Sequence, residues 1–277
     1  MTAAFAGTPR YFAWLYSGER LQAILEPLFG IEAEINAALQ PGLEHSVAHV
    51  RMSWWAEESE RLRAGRALHP LTRALLAQRP GTAAVDISGL VDVATWDLAC
   101  ATFETGSELA GYCDRWARAV TQLAAQWTSG PPAQAPAQFG HALGVAMCEL
   151  DMLIRLEDSA RAGRVRLPLD ELTALGVAPA ALAQAPWPEA LSRRLRERHR
   201  QLRTALSDSC AMIEAPAQRA ALRGLLVWAA LMQQHSRRAE QALPRSWRRS
   251  RWTGLSDALR AWRTARNVTR FVPQETP

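Results

Sequence analysis

The sequence predicts an all-α fold, a single-domain helical bundle, and two observations carry the helical part of that prediction. Alanine, leucine, arginine and glutamate are abundant while valine, isoleucine, tyrosine and phenylalanine are sparse, a mix that favours helix over strand. Almost every segment between turn signals repeats its apolar residues with the helical period. No repeat of fixed length is visible, so nothing suggests a solenoid. Of the 277 residues, 48% are hydrophobic, ample for one large core.

The elements follow in order. A first long helix is expected over residues 17–39, opened by Ser17-Gly18-Glu19-Arg20, which resembles a capping box. Glu26-Pro27 should kink or restart it, and Gln40-Pro41-Gly42 should stop it. A second helix is expected over 44–64, ending at Gly65 with arginines in its last turn. A short helix should follow His69-Pro70, another should span 85–103, and a further one 105–126 with Glu108 three residues after a Thr105 cap. Residues 128–138 (TSGPPAQAPAQ) read as a loop. A central helix is expected over 139–162 and a second connection over 176–189. Helices should follow over 191–213 and 216–242, then an Arg/Trp-rich tail helix over 245–270. The two loops separate helices that need each other's apolar faces, so residues 1–277 read as one domain.

Composition removes several chemistries. All 32 basic residues are arginine, which excludes lysine Schiff bases and a P-loop lysine. Cys100, Cys113, Cys148 and Cys210 form no C-x-x-C pair and read as reduced, mostly buried thiols. His45 and His49 lie at i, i+4 but lack a neighbouring acid or third ligand for zinc. No apolar run is long enough to span a bilayer, and the N-terminus lacks the pattern of a signal peptide. A cytoplasmic location is the default expectation, with peripheral contact on the inner face of the membrane as its extension. A net charge of +5 and the lack of a recognised binding module argue against nucleic acid.

Five blocks stand in collinear order: RLQAILEPLFG at 20–30, RMSWWAEE at 51–58, GRALHPLTRAL at 65–75, ELAGYCDRWA at 108–117, and ELDMLIRLEDSARAGRVRLPLDEL at 149–172. Together they resemble the squalene/phytoene synthase family over most of the chain. The resemblance implies an all-α isoprenoid-synthase bundle around a deep cavity. In active members of that family, two Asp-rich motifs hold Mg²⁺ ions that clamp a prenyl diphosphate. A divergent branch that includes complex I assembly factors also resembles the chain, sharing the Trp-Trp-x-x-Glu and Gly-Arg-x-x-His-Pro blocks and a similar loss of aspartates. The tail over 243–270 is more similar to that branch.

The metal motifs depart from the family. Asn36, Ala37 and Gln40 stand where the first Asp-rich motif is expected, and Arg155, Asp158 and Ser159 where the second is expected. Glu32 and Glu34 lie near the first but roughly 200° apart around a helix, so both cannot face one cluster. Arg166 stands near the place of an expected tyrosine. Asp151 is placed to pair with Arg155 at i, i+4. Two readings follow. In one, the protein binds an isoprenoid, a prenyl diphosphate or a protein partner without condensing prenyl diphosphates and needs no cofactor. In the other, it is an Mg-dependent prenyltransferase with a rearranged site whose metal ligands are Asp151, Asp158 and Glu34.

The resemblance nominates Arg51, Trp54, Trp55, Tyr112 and Arg164 for substrate binding, and Arg155 joins them because a guanidinium can hold a diphosphate through its planar fork; no catalytic residue is assigned. Trp54 and Trp55 either line the cavity or pack in the core and at a helix junction. Arg164 either meets phosphate or caps the preceding helix. In the tail, Arg245, Arg248, Arg249, Arg251, Arg260, Arg263, Arg266 and Arg270 interleave with Trp247, Trp252 and Trp262. That pattern suits either a peripheral helix on an anionic membrane or a terminal helix with a solvated basic face.

Overall fold

The computed structural model describes residues 6–40, 42–129, 134–250 and 252–269, and among them it contains helices and no strand. The helices are α1 (Pro9–Leu15), α2 (Glu19–Asn36, continued by a 3₁₀ turn Ala37–Leu39), α3 (His45–Arg63), α4 (Pro70–Ala77) and α5 (Ser88–Leu98). α6 (Gly106–Ala117) runs through a π-helical turn (Arg118–Gln122) into α7 (Leu123–Ser129). Then come α8 (Gln134–Ile154), α9 (Leu156–Arg161), α10 (Leu169–Ala174), a 3₁₀ turn (Pro179–Ala183) and α11 (Glu189–Ala211). The chain closes with α12 (Pro216–Ala221), α13 (Arg223–Ala242) and α14 (Thr253–Thr269).

α8 is the axis of the bundle and packs against α6, α7, α11 and α13. Two glycines bring it close to the π turn. A Cβ on Gly140 would lie 2.5 Å from the Thr121 carbonyl oxygen, and one on Gly144 would lie 2.0 Å from Thr121 Oγ1. The main core gathers buried residues of α2, α5, α6, α8 and α13, while a second cluster under the 156–195 region includes Leu156, Leu167, Leu172, Trp187 and Leu191.

Several expected boundaries change, each for a local reason. α2 does not restart at Pro27: Ile24, Leu25, Leu28 and Phe29 around it are all buried, so packing holds a turn that lacks one hydrogen bond. α8 starts at Gln134, because Pro136 fits a first turn. The expected central helix is interrupted at Arg155 (φ −105°, ψ 20°), and no glycine or proline marks that break. The expected helix over 216–242 is likewise interrupted at Leu222. The tail is not one helix. Pro244 follows the end of α13, residues 245–250 run without helix, and α14 begins only at Thr253. Pro41, residues 130–133, Arg251 and Arg270 lie outside the described residues.

The glycines of two sequence blocks act as helix stops. At Gly163 (φ +79°), the N–H of Gly163 reaches the Ala160 carbonyl and that of Arg164 the Ser159 carbonyl, a Schellman end to α9. Gly65 (φ +72°) ends α3 in the same way through Leu62 and Arg61.

Candidate functional site

A cavity of about 1010 Å³ opens between α2, α5, α6, α8, α9 and α13. Apolar side chains make its walls, among them Ile35, Leu90, Val93, Met147, Met152 and Met232. Trp116 and Trp228 stand edge to face within the wall, 6.1 Å apart. The exposed lining residues mark its mouth: Asn36, Gln40, Asp151, Arg155, Asp158, Arg248 and Arg249.

Of the positions matched to the two Asp-rich motifs, Asn36, Gln40, Arg155, Asp158 and Ser159 line one cavity, and Ala37 does not. Asp151 pairs with Arg155 at 3.5 Å, and both side chains are more than half exposed, so the pair adds little stability. Among the described residues, no group of three or more His, Cys, Asp or Glu is placed to hold a metal ion. His45 and His49 are exposed, one turn apart at the start of α3, with ring nitrogens 2.8 Å apart. Of the four thiols, Cys113 and Cys148 are buried, Cys210 is partly so and Cys100 is exposed.

The other candidates divide. Tyr112, Arg155 and Arg164 line the cavity, whereas Arg51, Trp54, Trp55 and Glu34 do not. Arg51 is exposed on α3. Trp55 is buried beside His69 and Trp54, while Trp54 is 39% exposed under the Arg61 guanidinium. Glu34 faces solvent, and Glu32 is the α2 carboxylate that turns into the cavity, as the 200° separation requires of one of them. Glu34 thus does not converge with Asp151 and Asp158. The Arg164 side chain donates to the carbonyls of Leu39 and Asp97, at the ends of the α2 extension and α5, while its backbone N–H closes α9.

Three groups of cavity residues were not legible in the sequence. Arg10 forms a two-point ion pair with Glu32 (2.7 and 2.9 Å), Trp116 Nε1 donates to the same carboxylate, and the guanidinium lies over Phe29, Trp116 and Trp228. Arg166 pairs with Asp97 at 2.6 Å, and Tyr112 Oη donates to the other Asp97 oxygen at 3.1 Å. Burial works against the Arg166 charge, but Asp97 and Tyr112 outweigh it and raise its pKa; burial and Asp97 together push the Tyr112 hydroxyl well above its usual value. Third, the segment after α13 borders the cavity through Trp247, Arg248 and Arg249. Ser246 donates to Glu157, Arg248 lies 3.7 Å from the same carboxylate, and Arg249 donates to Asp257 at 3.0 Å. Each group joins residues far apart in the chain, and only the long-range contacts reveal them.

An all-helical bundle with an apolar cavity and a charged mouth is the architecture of the isoprenoid synthases. The crystal structure of a dehydrosqualene synthase in complex with ligand matches with a TM-score of 0.76 at 14% identity, covering 95% of this chain and 92% of that one. The family model described as squalene/phytoene synthase matches residues 35–256. The chain belongs to the squalene/phytoene synthase family. No curated protein matches it.

Proposed function

We propose that the protein binds an isoprenoid with an anionic head, of the prenyl diphosphate class, in its central cavity and does not condense two of them. The observation that carries this reading is the composition of the mouth. Apolar walls suit a prenyl chain, and the exposed cations at the opening (Arg155, Arg248 and Arg249) outnumber the exposed carboxylates Asp151 and Asp158. A guanidinium holds a diphosphate by charge and by its planar fork.

Magnesium is the metal the family implies, and it would neutralise the leaving diphosphate. The donors here do not fit such a cluster. One of the two carboxylates is paired with Arg155, and that guanidinium repels a cation placed between them. The chain's own residues bind the head, enclose the chain and exclude water from it. A purely structural assembly role calls for a filled interior, and the cavity argues against it. A peripheral position on a membrane, where long isoprenoids partition, belongs to the same reading, and a protein partner is compatible with it.

Calorimetric titration with farnesyl and geranylgeranyl diphosphate in the presence of EDTA tests the proposal. Binding should be indifferent to the chelator, and adding Mg²⁺ should release no diphosphate. Magnesium-dependent turnover would instead favour a prenyltransferase working through Asp151 and Asp158.

A further inference from the structure

α14 has two apolar faces. One is inside: Ala261 and Ala265 pack with Phe12, Val227 and Leu231 against α1 and α13. The other carries Leu255, Leu259 and Trp262, which are 65%, 46% and 46% exposed, with Trp252 just ahead of the helix at 62%. Their alternating three- and four-residue spacing sets them along one side of a helix. Of the other exposed large apolar residues, Val47, Val50 and Trp54 share α3, while Leu15, Leu68 and Met212 stand apart on separate elements, so the stripe at α14, with four members, is the larger.

Among the described residues of α14, the exposed charge beside the stripe has one sign. Arg263 and Arg266 are exposed, and the Arg266 guanidinium lies over the Trp262 ring at 5.4 Å. Asp257 is the sole acidic residue of α14, and it is fully buried against His235 and Arg249.

We propose that this face of α14 docks on the headgroup layer of an anionic phospholipid bilayer. The two leucines would insert between acyl chains, the tryptophans would sit at the level of the headgroups, and the arginines would meet lipid phosphates. A second copy of the chain is a poorer occupant, because facing stripes would bring Arg263 against its counterpart with no exposed acid on α14 to pair it. Only Ser250 and Arg251 separate Trp252 from Arg249 in the cavity wall, so docking would hold the segment bordering the mouth at the membrane. The inference rests on the peripheral placement proposed above and adds the surface and its lipid partner.

Flotation of the purified full chain, without isoprenoid, tests it on two kinds of vesicle: phosphatidylcholine alone, and phosphatidylcholine with phosphatidylglycerol. The chain should float with the anionic vesicles, and brominated acyl chains should quench part of its tryptophan fluorescence. The exposed double variant Leu255→Gln/Leu259→Gln should lose at least tenfold in vesicle affinity while keeping its circular dichroism. Arg263→Gln/Arg266→Gln should remove most of the preference for anionic lipid. Failure to bind anionic vesicles, or a double variant that floats like the parent, overturns the proposal. So does a dimer in light scattering that the double variant abolishes, which would assign the stripe to a second copy. EDTA-indifferent diphosphate binding without vesicle binding would remove the docking surface and leave the cavity reading standing; vesicle binding without diphosphate binding would do the reverse.

Discussion

Glu58 shows why the Trp-Trp-x-x-Glu and Gly-Arg-x-x-His-Pro blocks occur together. Its carboxylate is wholly buried and accepts hydrogen bonds from Leu68 N, His69 N, Thr72 Oγ1 and Arg61 Nε. Burial pushes its pKa up, but these donors outweigh burial and hold it at about 2. A folded pKa below the unfolded value means the carboxylate stabilises the fold fully above about pH 5, and the contribution fades as pH falls towards 2. Glu58→Gln should therefore cost about 2–3 kcal/mol at neutral pH. In urea titrations, the gap between parent and variant should narrow between about pH 5 and pH 2; a gap that stays constant with pH would count against this account. The sequence makes Glu58 visible as part of a block. That the neighbouring tryptophans belong to this clasp, away from the cavity, depends on which face of α3 meets α4.

At the scale of elements, the close approach of α8 to the π turn is set by Gly140 and Gly144. Gly144→Ala would drive a Cβ to 2.0 Å from Thr121 Oγ1 and 2.7 Å from the Ala117 Cβ. The expected loss is about 1–3 kcal/mol, measured as a lower thermal midpoint. Gly111→Ala in α6 is the control: its Cβ would meet only Arg115 Nη1, at 3.7 Å, so it should be neutral or stabilise by up to about 1 kcal/mol. Helix existence was legible from periodicity, and the stop at Gly65 was legible from its glycine and basic last turn. The break at Arg155 was not, because neither residue type nor spacing changes there. Its consequence lies in the site, since it sets Asp151 on α8 and Asp158 on α9.

At the scale of the whole molecule, Asp257 ties three parts together. It is fully buried on α14, receives His235 Nε2 (2.9 and 3.0 Å) and Gln234 (3.1 Å) from α13, and binds Arg249 of the segment beside the cavity mouth. Asp257→Asn leaves Arg249 and the nearby Arg238 without their carboxylate, at an expected cost of about 3–5 kcal/mol. Amide hydrogen exchange over residues 245–250 should accelerate by more than the global loss of stability explains. Uniform acceleration across the chain would mean that Asp257 serves stability alone.

The sequence by itself determined the helical class, the order of most of the long helices, the family resemblance and the identities of the residues at the positions matched to the two Asp-rich motifs. These follow from local periodicity, turn chemistry and collinear blocks, which do not require knowing what touches what. Tertiary structure decided which carboxylate of α2 enters the cavity, that Arg10 and Arg166 pair there with Glu32 and Asp97, and that the basic tail divides into a segment over the mouth and a helix with an exposed apolar stripe. Those outcomes depend on how helix faces pack between distant parts of the chain, and a single sequence does not encode that packing in any local pattern.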